Sequence, residues 1–211
     1  MADSATLESA LASAELPENG VDKIAAYLAL LQQWNKTYNL TAVRDPAEMV
    51  SRHILDSLAI SAYLEGDEIA DLGTGPGLPG IPLAIRYPAR HFTLLDSNSK
   101  KTIFLNNVVR ALNLDNVEIV RTRLEEYRPA HSFDTLTARA LASTADILRW
   151  ADHLCKPGGC FLLMKSQQFD QEIKNLDSNY HVENVVELNI PGLDARRRVA
   201  IIRKSRSLLD L

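Results

Sequence analysis

Ile69-Ala70-Asp71-Leu72-Gly73-Thr74-Gly75-Pro76-Gly77-Leu78-Pro79-Gly80 decides the fold: an apolar run carrying an acid opens into four glycines and then hands over to a second apolar run. Glycine tolerates positive φ and leaves no Cβ against a ligand lying on the main chain, so the stretch predicts a strand, a tight turn and a helix start. The helix, expected from about Leu78 to Arg86, aims free N–H groups at the same spot. Gly75-x-Gly77-x-x-Gly80 also satisfies the dinucleotide fingerprint, and Asp96 ends the next apolar run at the spacing of a ribose ligand. Pro76, however, lacks the N–H that a pyrophosphate needs, and Asp71 places a negative charge where a pyrophosphate is repelled. S-adenosylmethionine has no phosphate, and its ammonium turns that acid into an asset. The residues favour it over NAD as cofactor.

Around this stretch, 211 residues at 46% apolar content supply one substantial core. A helical N-terminal extension, residues 1–65, is expected before a main domain, residues 66–211. The longest apolar runs, such as Ile81 to Ile85 and Val199 to Ile202, are too short for a bilayer, which predicts a soluble, cytoplasmic protein with no membrane partner. Cys155 and Cys160 form no CxxC pair, so packing thiols in a reducing compartment are expected and metal is not. The net charge of -4 gives no global nucleic-acid signature. Acid loads the N-terminus, while Arg196, Arg197, Arg198, Arg203, Lys204 and Arg206 make a basic C-terminal run.

Val21, Ile24, Leu28 and Leu31 recur at helical spacing, predicting a buried amphipathic helix over about 20–36. Asp45-Pro46-Ala47-Glu48 resembles a capping box, with a helix following through Arg52 to Tyr63. Strands are expected at Glu68 to Leu72, Phe92 to Asp96, Val117 to Arg121, Asp134 to Ala138, Cys160 to Lys165, Val182 to Asn189 and Arg198 to Arg203. Helices are expected over Lys100 to Leu112, capped by Ser99 or Asn98, and over Thr144 to Cys155, capped by Ser143 and stopped by Pro157-Gly158-Gly159. Such β-α alternation predicts a doubly wound, mostly parallel sheet with ligands at the carboxyl ends of its strands. The last two strands lack an intervening helix and are expected to pair antiparallel.

Each strand end offers a group. Asp96 is placed to accept both ribose hydroxyls, or alternatively to face the dipole of the next helix. Leu124 is placed to pack an adenine face and Glu125 to meet its amino edge, unless Glu125 is a solvated first-turn acid. Arg139 puts a cation where transferred groups react in such folds, with a buried salt bridge as the alternative. His53 and Asp56 share a helix face and suggest an acid-base pair, although most such pairs are structural. The fourth strand ends in Thr137-Ala138-Arg139-Ala140 rather than an Asn/Asp-Pro-Pro-aromatic run, which disfavours exocyclic amine methylation. Neither cysteine follows a proline, which disfavours a thiolate nucleophile. An acceptor with its own lone pair needs neither, and orientation and desolvation supply the rate.

Tyr38-Asn39-Leu40-Thr41, Arg52-His53-Ile54-Leu55-Asp56-Ser57, the run from Asp71 to Pro82 and Ala138-Arg139-Ala140 together resemble the bacterial small-subunit ribosomal RNA (guanine-N7) methyltransferase family, also called glucose-inhibited division protein B. The resemblance spans nearly the whole chain. It implies a Rossmann-like class I methyltransferase fold, a seven-stranded mostly parallel sheet with an antiparallel last strand, and S-adenosylmethionine as donor. It also implies methyl transfer to guanine N7 of ribosomal RNA, naked or in a 30S particle, near the decoding region. Carried over by position, Gly73, Leu78, the Leu124-Glu125 pair and Arg139 are the expected cofactor contacts; Asp96 fits the ribose position of the wider fold, Gly75 joins them from the glycine loop, and Lys165 stands at a family lysine, followed by Ser166 where glycine is usual. Arg139 and Lys165 are the candidate catalytic residues; Arg123, Arg139, Lys165 and Arg197 are the expected RNA contacts of a monomer. Arg196, Arg197 and Arg198 have a second reading as a solvated strand edge.

Overall fold

The computed structural model describes residues 4–165, 169–173, 176–193 and 196–206. Helices α1 (Ser4–Leu11) and α2 (Gly20–Tyr38) come first. Next, α3 (Pro46–Met49), a π-helical turn at Val50–Leu55 and α4 (Asp56–Leu58) run on as one irregular rod. The strands are β1 (Glu68–Leu72), β2 (His91–Leu95), β3 (Val117–Val120), β4 (Phe133–Arg139), β5 (Cys155–Lys165), β6 (Tyr180–Leu188) and β7 (Arg197–Lys204). Between them lie α5 (Gly80–Arg86), α6 (Ser99–Leu112), α7 (Thr144–Ala151) and the short α8 (Phe169–Glu172).

The sheet order is β3-β2-β1-β4-β5-β7-β6. All pairings from β3 across to β5 are parallel, and β7 runs antiparallel to both β5 and β6. The strand order reverses between β1 and β4, which opens a crevice at their carboxyl ends. Side chains alternate across the pleat. Ile69, Leu94, Leu162 and Val199 face a core shared with α1, α2, α5 and α6, whereas Ala70, Leu95, Phe161 and Ala200 face the core under α7.

Several expectations shift. The helix expected at Leu78 starts at Gly80, because Thr74 O already accepts from the N–H groups of Gly77 and Leu78 in a tight turn. The rod from Pro46 is not a uniform helix. Asp45 does cap it, accepting from Ala47 N at 3.0 Å, but Glu48 turns forward to Arg52 at 3.4 Å instead of closing a capping box. The helix before β5 ends at Ala151 and tightens into a 3₁₀ turn to Leu154, so β5 begins at Cys155. Residues Lys156 to Gly159 form an irregularity in the β4–β5 ladder, where the register jumps from Phe133–Cys155 to Thr135–Cys160. Finally, β7 is an interior strand, so Arg197 and Arg198 are no solvated edge; Arg196, just before it, is exposed, and β6 is the edge.

Candidate active site

The carboxyl ends of β1, β2, β3 and β4 carry a cleft in two lobes that share Gly73, Lys101 and Ala140. The first, about 440 Å³, is lined by Asp96, Leu124, Glu125, Arg123 and Trp150. The second, about 540 Å³, is lined by His53, Asp56, Gly75, Leu78, Arg139 and Arg197. Both lie in the size range of small-ligand sites.

The glycine turn between the lobes is held from below. Asp71 is 1% exposed, and its carboxylate accepts from Thr74 Oγ1 at 2.6 Å, Gly80 N at 2.9 Å and Thr137 Oγ1 at 3.0 Å. Burial pushes its pKa up to about 6 despite those three donors. In this arrangement Asp71 serves the turn, and the Gly80 N–H expected to face a ligand is spent on it. From the N-terminal helices, buried Tyr27 donates its hydroxyl to Pro76 O at 2.9 Å.

The glycines divide the work. A Cβ on Gly77 lies 2.5 Å from Ile81 and one on Gly80 lies 2.8 Å from the Asp71 carboxylate, so both permit close packing. Gly75 differs: its φ is +63°, and a Cβ there meets only Gly73 O at 4.0 Å. Its open face looks into the second lobe, a cradle of the kind a ligand fills.

Asp96 is buried beside this turn. Its carboxylate accepts from Gly75 N at 3.0 Å, Asn98 N at 2.8 Å and Lys101 Nζ at 3.2 Å. A carboxylate has about four acceptor sites, so a hydroxyl of a bound nucleoside still fits. Asn98 caps α6 and donates its N–H to Asp96, so the acid stands at the head of that helix, and this placement is compatible with the ligand reading. Leu124, buried, and Glu125, exposed, sit in a 3₁₀ turn after β3 and face the same lobe.

In the second lobe the expected acid-base pair does not form. Asp56, 2% exposed, is held by Arg139 Nη1 at 2.9 Å and Arg197 Nε at 3.1 Å, and Arg139 also donates to Arg52 O. His53 Nε2 meets Thr41 Oγ1 at 2.9 Å, while its buried Nδ1 has no partner. Burial, aided by Arg139, lowers its pKa to about 4, so His53 is neutral and a poor base. Arg123 lies in the other lobe from Arg139 and does not flank it. Lys165 closes β5 opposite Arg198; its side chain and all of Ser166 fall outside the described residues. Both cysteines are buried free thiols, and burial pushes Cys155 up to about 12. Three groups around the cleft were given no place in it by the sequence reading: Lys101 at the junction, Trp150 in the first lobe, and Tyr27 behind the turn. Only the charge of Lys101 carried any signal.

The family model for rRNA small subunit methyltransferase G matches residues 21–201. The chain belongs to the rRNA small subunit methyltransferase G family. A relative of that name from Nitrosococcus oceani is 46% identical over 93% of this chain and 92% of its own length. Another, from Hydrogenovibrio crunogenus, is 48% identical over 95% and 94%. Among solved structures, an S-adenosylmethionine-dependent O-methyltransferase from Thermotoga maritima superposes with a TM-score of 0.56 at 17% identity, covering 72% of this chain and 65% of that one. TrmN from Thermus thermophilus gives 0.54 at 17% identity over 74% and 53%; at such identities the likeness shows the fold alone. Membership in the methyltransferase G family makes the chain an S-adenosylmethionine-dependent rRNA methyltransferase, and the cleft at the strand-order reversal is where its fold class binds ligands. Among the described residues no helix is long and apolar enough to cross a membrane.

Proposed function

We propose that this chain, a cytoplasmic monomer, methylates N7 of a guanine near the decoding region of small-subunit rRNA. The observation that carries the reading is the second lobe, which is cationic and, among the described residues, holds no competent base or nucleophile. His53 is neutral and bonded to Thr41, Asp56 is clasped by two arginines, and both cysteines lie buried elsewhere. Guanine N7 presents a lone pair in the major groove and loses no proton on methylation, so such a lobe suffices. S-adenosylmethionine, when bound, supplies an electrophilic methyl group on a sulfonium.

In this reading Asp96 takes a ribose hydroxyl at its remaining acceptor site, Leu124 packs the adenine face and Glu125 or its backbone meets the amino edge. Gly73 and Gly75 let the rest of the cofactor lie along the turn, with Leu78 beyond it. Arg139 commits Nη1 to Asp56 and Arg52 O, so in this reading its cofactor contact is through the main chain next to Ala140, and its other guanidinium N–H groups stay available. Arg139, Arg197 and Lys165 then meet RNA, with Arg123 at the far lobe. Incubation with labelled S-adenosylmethionine and either naked 16S rRNA or 30S subunits, followed by mapping of the product, tests the reading. A 7-methylguanine is expected; a methyl group on an exocyclic amine or ribose overturns it.

A further inference from the structure

Asp56, Arg139 and Arg197 come from the end of the π-helical turn, the end of β4 and the start of β7, yet they meet at one carboxylate lining the second lobe. The acid is 2% exposed, while the arginine side chains are 20% and 30% exposed. One buried acid between two cations leaves a net positive charge. A fold seeking stability alone gains more from one cation per acid, or from apolar groups. Asp56 takes Nη1 from one arginine and Nε from the other. A guanidinium has five N–H donors in a planar fork, so both planes keep donors for a further anion, and a phosphate is the anion whose geometry that fork fits. Arg139 is pinned a second time by Arg52 O at 3.1 Å, which fixes its plane.

We propose that Asp56 is the positioning residue of a phosphodiester-binding subsite, holding Arg139 and Arg197 side by side to receive an RNA phosphate next to the target nucleotide. The proposal rests on the rRNA methyltransferase reading above. The rival anion, the carboxylate of the cofactor, is an outcome of the test.

The experiment uses the full chain, S-adenosylmethionine and the rRNA substrate, and measures cofactor Kd together with RNA KM across a salt series. Asp56→Asn keeps the shape but turns an amide N–H₂ toward one guanidinium. It is expected to raise RNA KM roughly ten- to a hundredfold, as for loss of a charged hydrogen bond. The log-log salt slope should flatten by about 0.7 for each phosphate of single-stranded RNA that the variant no longer neutralises. Cofactor Kd should stay within about twofold. In an Arg139→Gln/Arg197→Gln background, Asp56→Asn should add nothing to KM, which a merely structural acid does not predict. Tighter RNA binding by Asp56→Asn, an unchanged KM, an undiminished effect in the arginine-less background, or a raised cofactor Kd with unchanged KM each overturns the proposal. Should Asp56→Asn fail to fold, Arg139→Gln and Arg197→Gln decide: a shared acid makes them non-additive on KM, and strict additivity overturns it. A wild-type chain that binds cofactor yet methylates no rRNA sinks the function and not this geometry.

Discussion

Gly75 and Gly77 sit two residues apart and have opposite dependences. At Gly75 an added Cβ meets no atom outside its chain neighbours closer than 4.0 Å, so the main cost of Gly75→Val to the fold is the left-handed backbone, about 1–2 kcal/mol. Its branches then occupy the cradle, and calorimetry should show S-adenosylmethionine binding lost from a protein that still melts cooperatively. Gly77→Ala drives a methyl group into Ile81 and Leu105 and should cost stability first. A Gly75→Val protein that binds normally removes the turn from the cofactor site. Asp71 and His53 titrate in the same window with opposite effect. The pKa of Asp71 rises on folding to about 6, so its contribution is complete below its unfolded value and fades as pH rises toward 6. That of His53 falls to about 4, so its contribution is complete above its unfolded value of 6.5 and fades as pH drops toward 4. Denaturant titrations from pH 4 to 6.5 should show His53→Gln losing stability relative to wild type as pH rises, and Asp71→Asn gaining it. Matching pH profiles in all three proteins would refute the burial argument for both groups.

At the scale of elements, the antiparallel β7 dismantles a feature that looked continuous. Six basic residues from Arg196 to Arg206 suggested one RNA-facing run, but a strand about eight residues long carries its two termini to opposite ends of the sheet along the strand direction. Arg197 reaches the cleft, whereas Arg203 at the far end pairs with Glu65 at 2.6 Å and with Glu183, and Lys204 meets Asp152. Arg203→Gln should therefore cost stability, about 1 kcal/mol after screening of its half-exposed partners, and leave the salt slope of RNA binding unchanged. Arg197→Gln should flatten that slope. A flattened slope in Arg203→Gln would put both ends of β7 on RNA. The strands, the order of elements and the glycine turn were legible because each is a local pattern: period two, period 3.6, or glycine spacing. The partners of Asp71 were not. Thr74 lies three residues away, but Thr137 belongs to a neighbouring strand and is brought opposite only by the β1–β4 register. Nor was the π-helical turn legible. Its extra residue per ring has no periodic signature, and it puts Asp56 between two arginines that the chain supplies more than eighty residues later.

Across the whole molecule, the helices before β1 build the cofactor turn as well as cover the sheet. Ile24 and Leu31 of α2 share one core with Leu94 of β2 and Phe104 of α6, and Tyr27 reaches through that core to Pro76. The Trp34 ring packs at a tilt against Phe104 with ring centroids 5.6 Å apart, which ties the last turns of α2 to α6. Since that core crosses residue 65, we propose that the extension and the main domain unfold in one cooperative transition. The chain supplies its own probes, because its two tryptophans fall on either side of residue 65: Trp34 on α2 and Trp150 on α7. In Trp34→Phe only Trp150 fluoresces, and in Trp150→Phe only Trp34 does. Urea unfolding of each, compared with its own far-ultraviolet circular dichroism, should give coincident midpoints, and excess S-adenosylmethionine should raise both by the same free energy, since ligand linkage acts on the whole cooperative unit. Tyr27→Phe should weaken cofactor binding through the loosened turn, with the lost hydrogen bond worth about 1 kcal/mol. An earlier, cofactor-insensitive transition reported by Trp34 would show that the helical extension folds apart from the sheet, and the brace from Tyr27 to Pro76 would then carry no coupling.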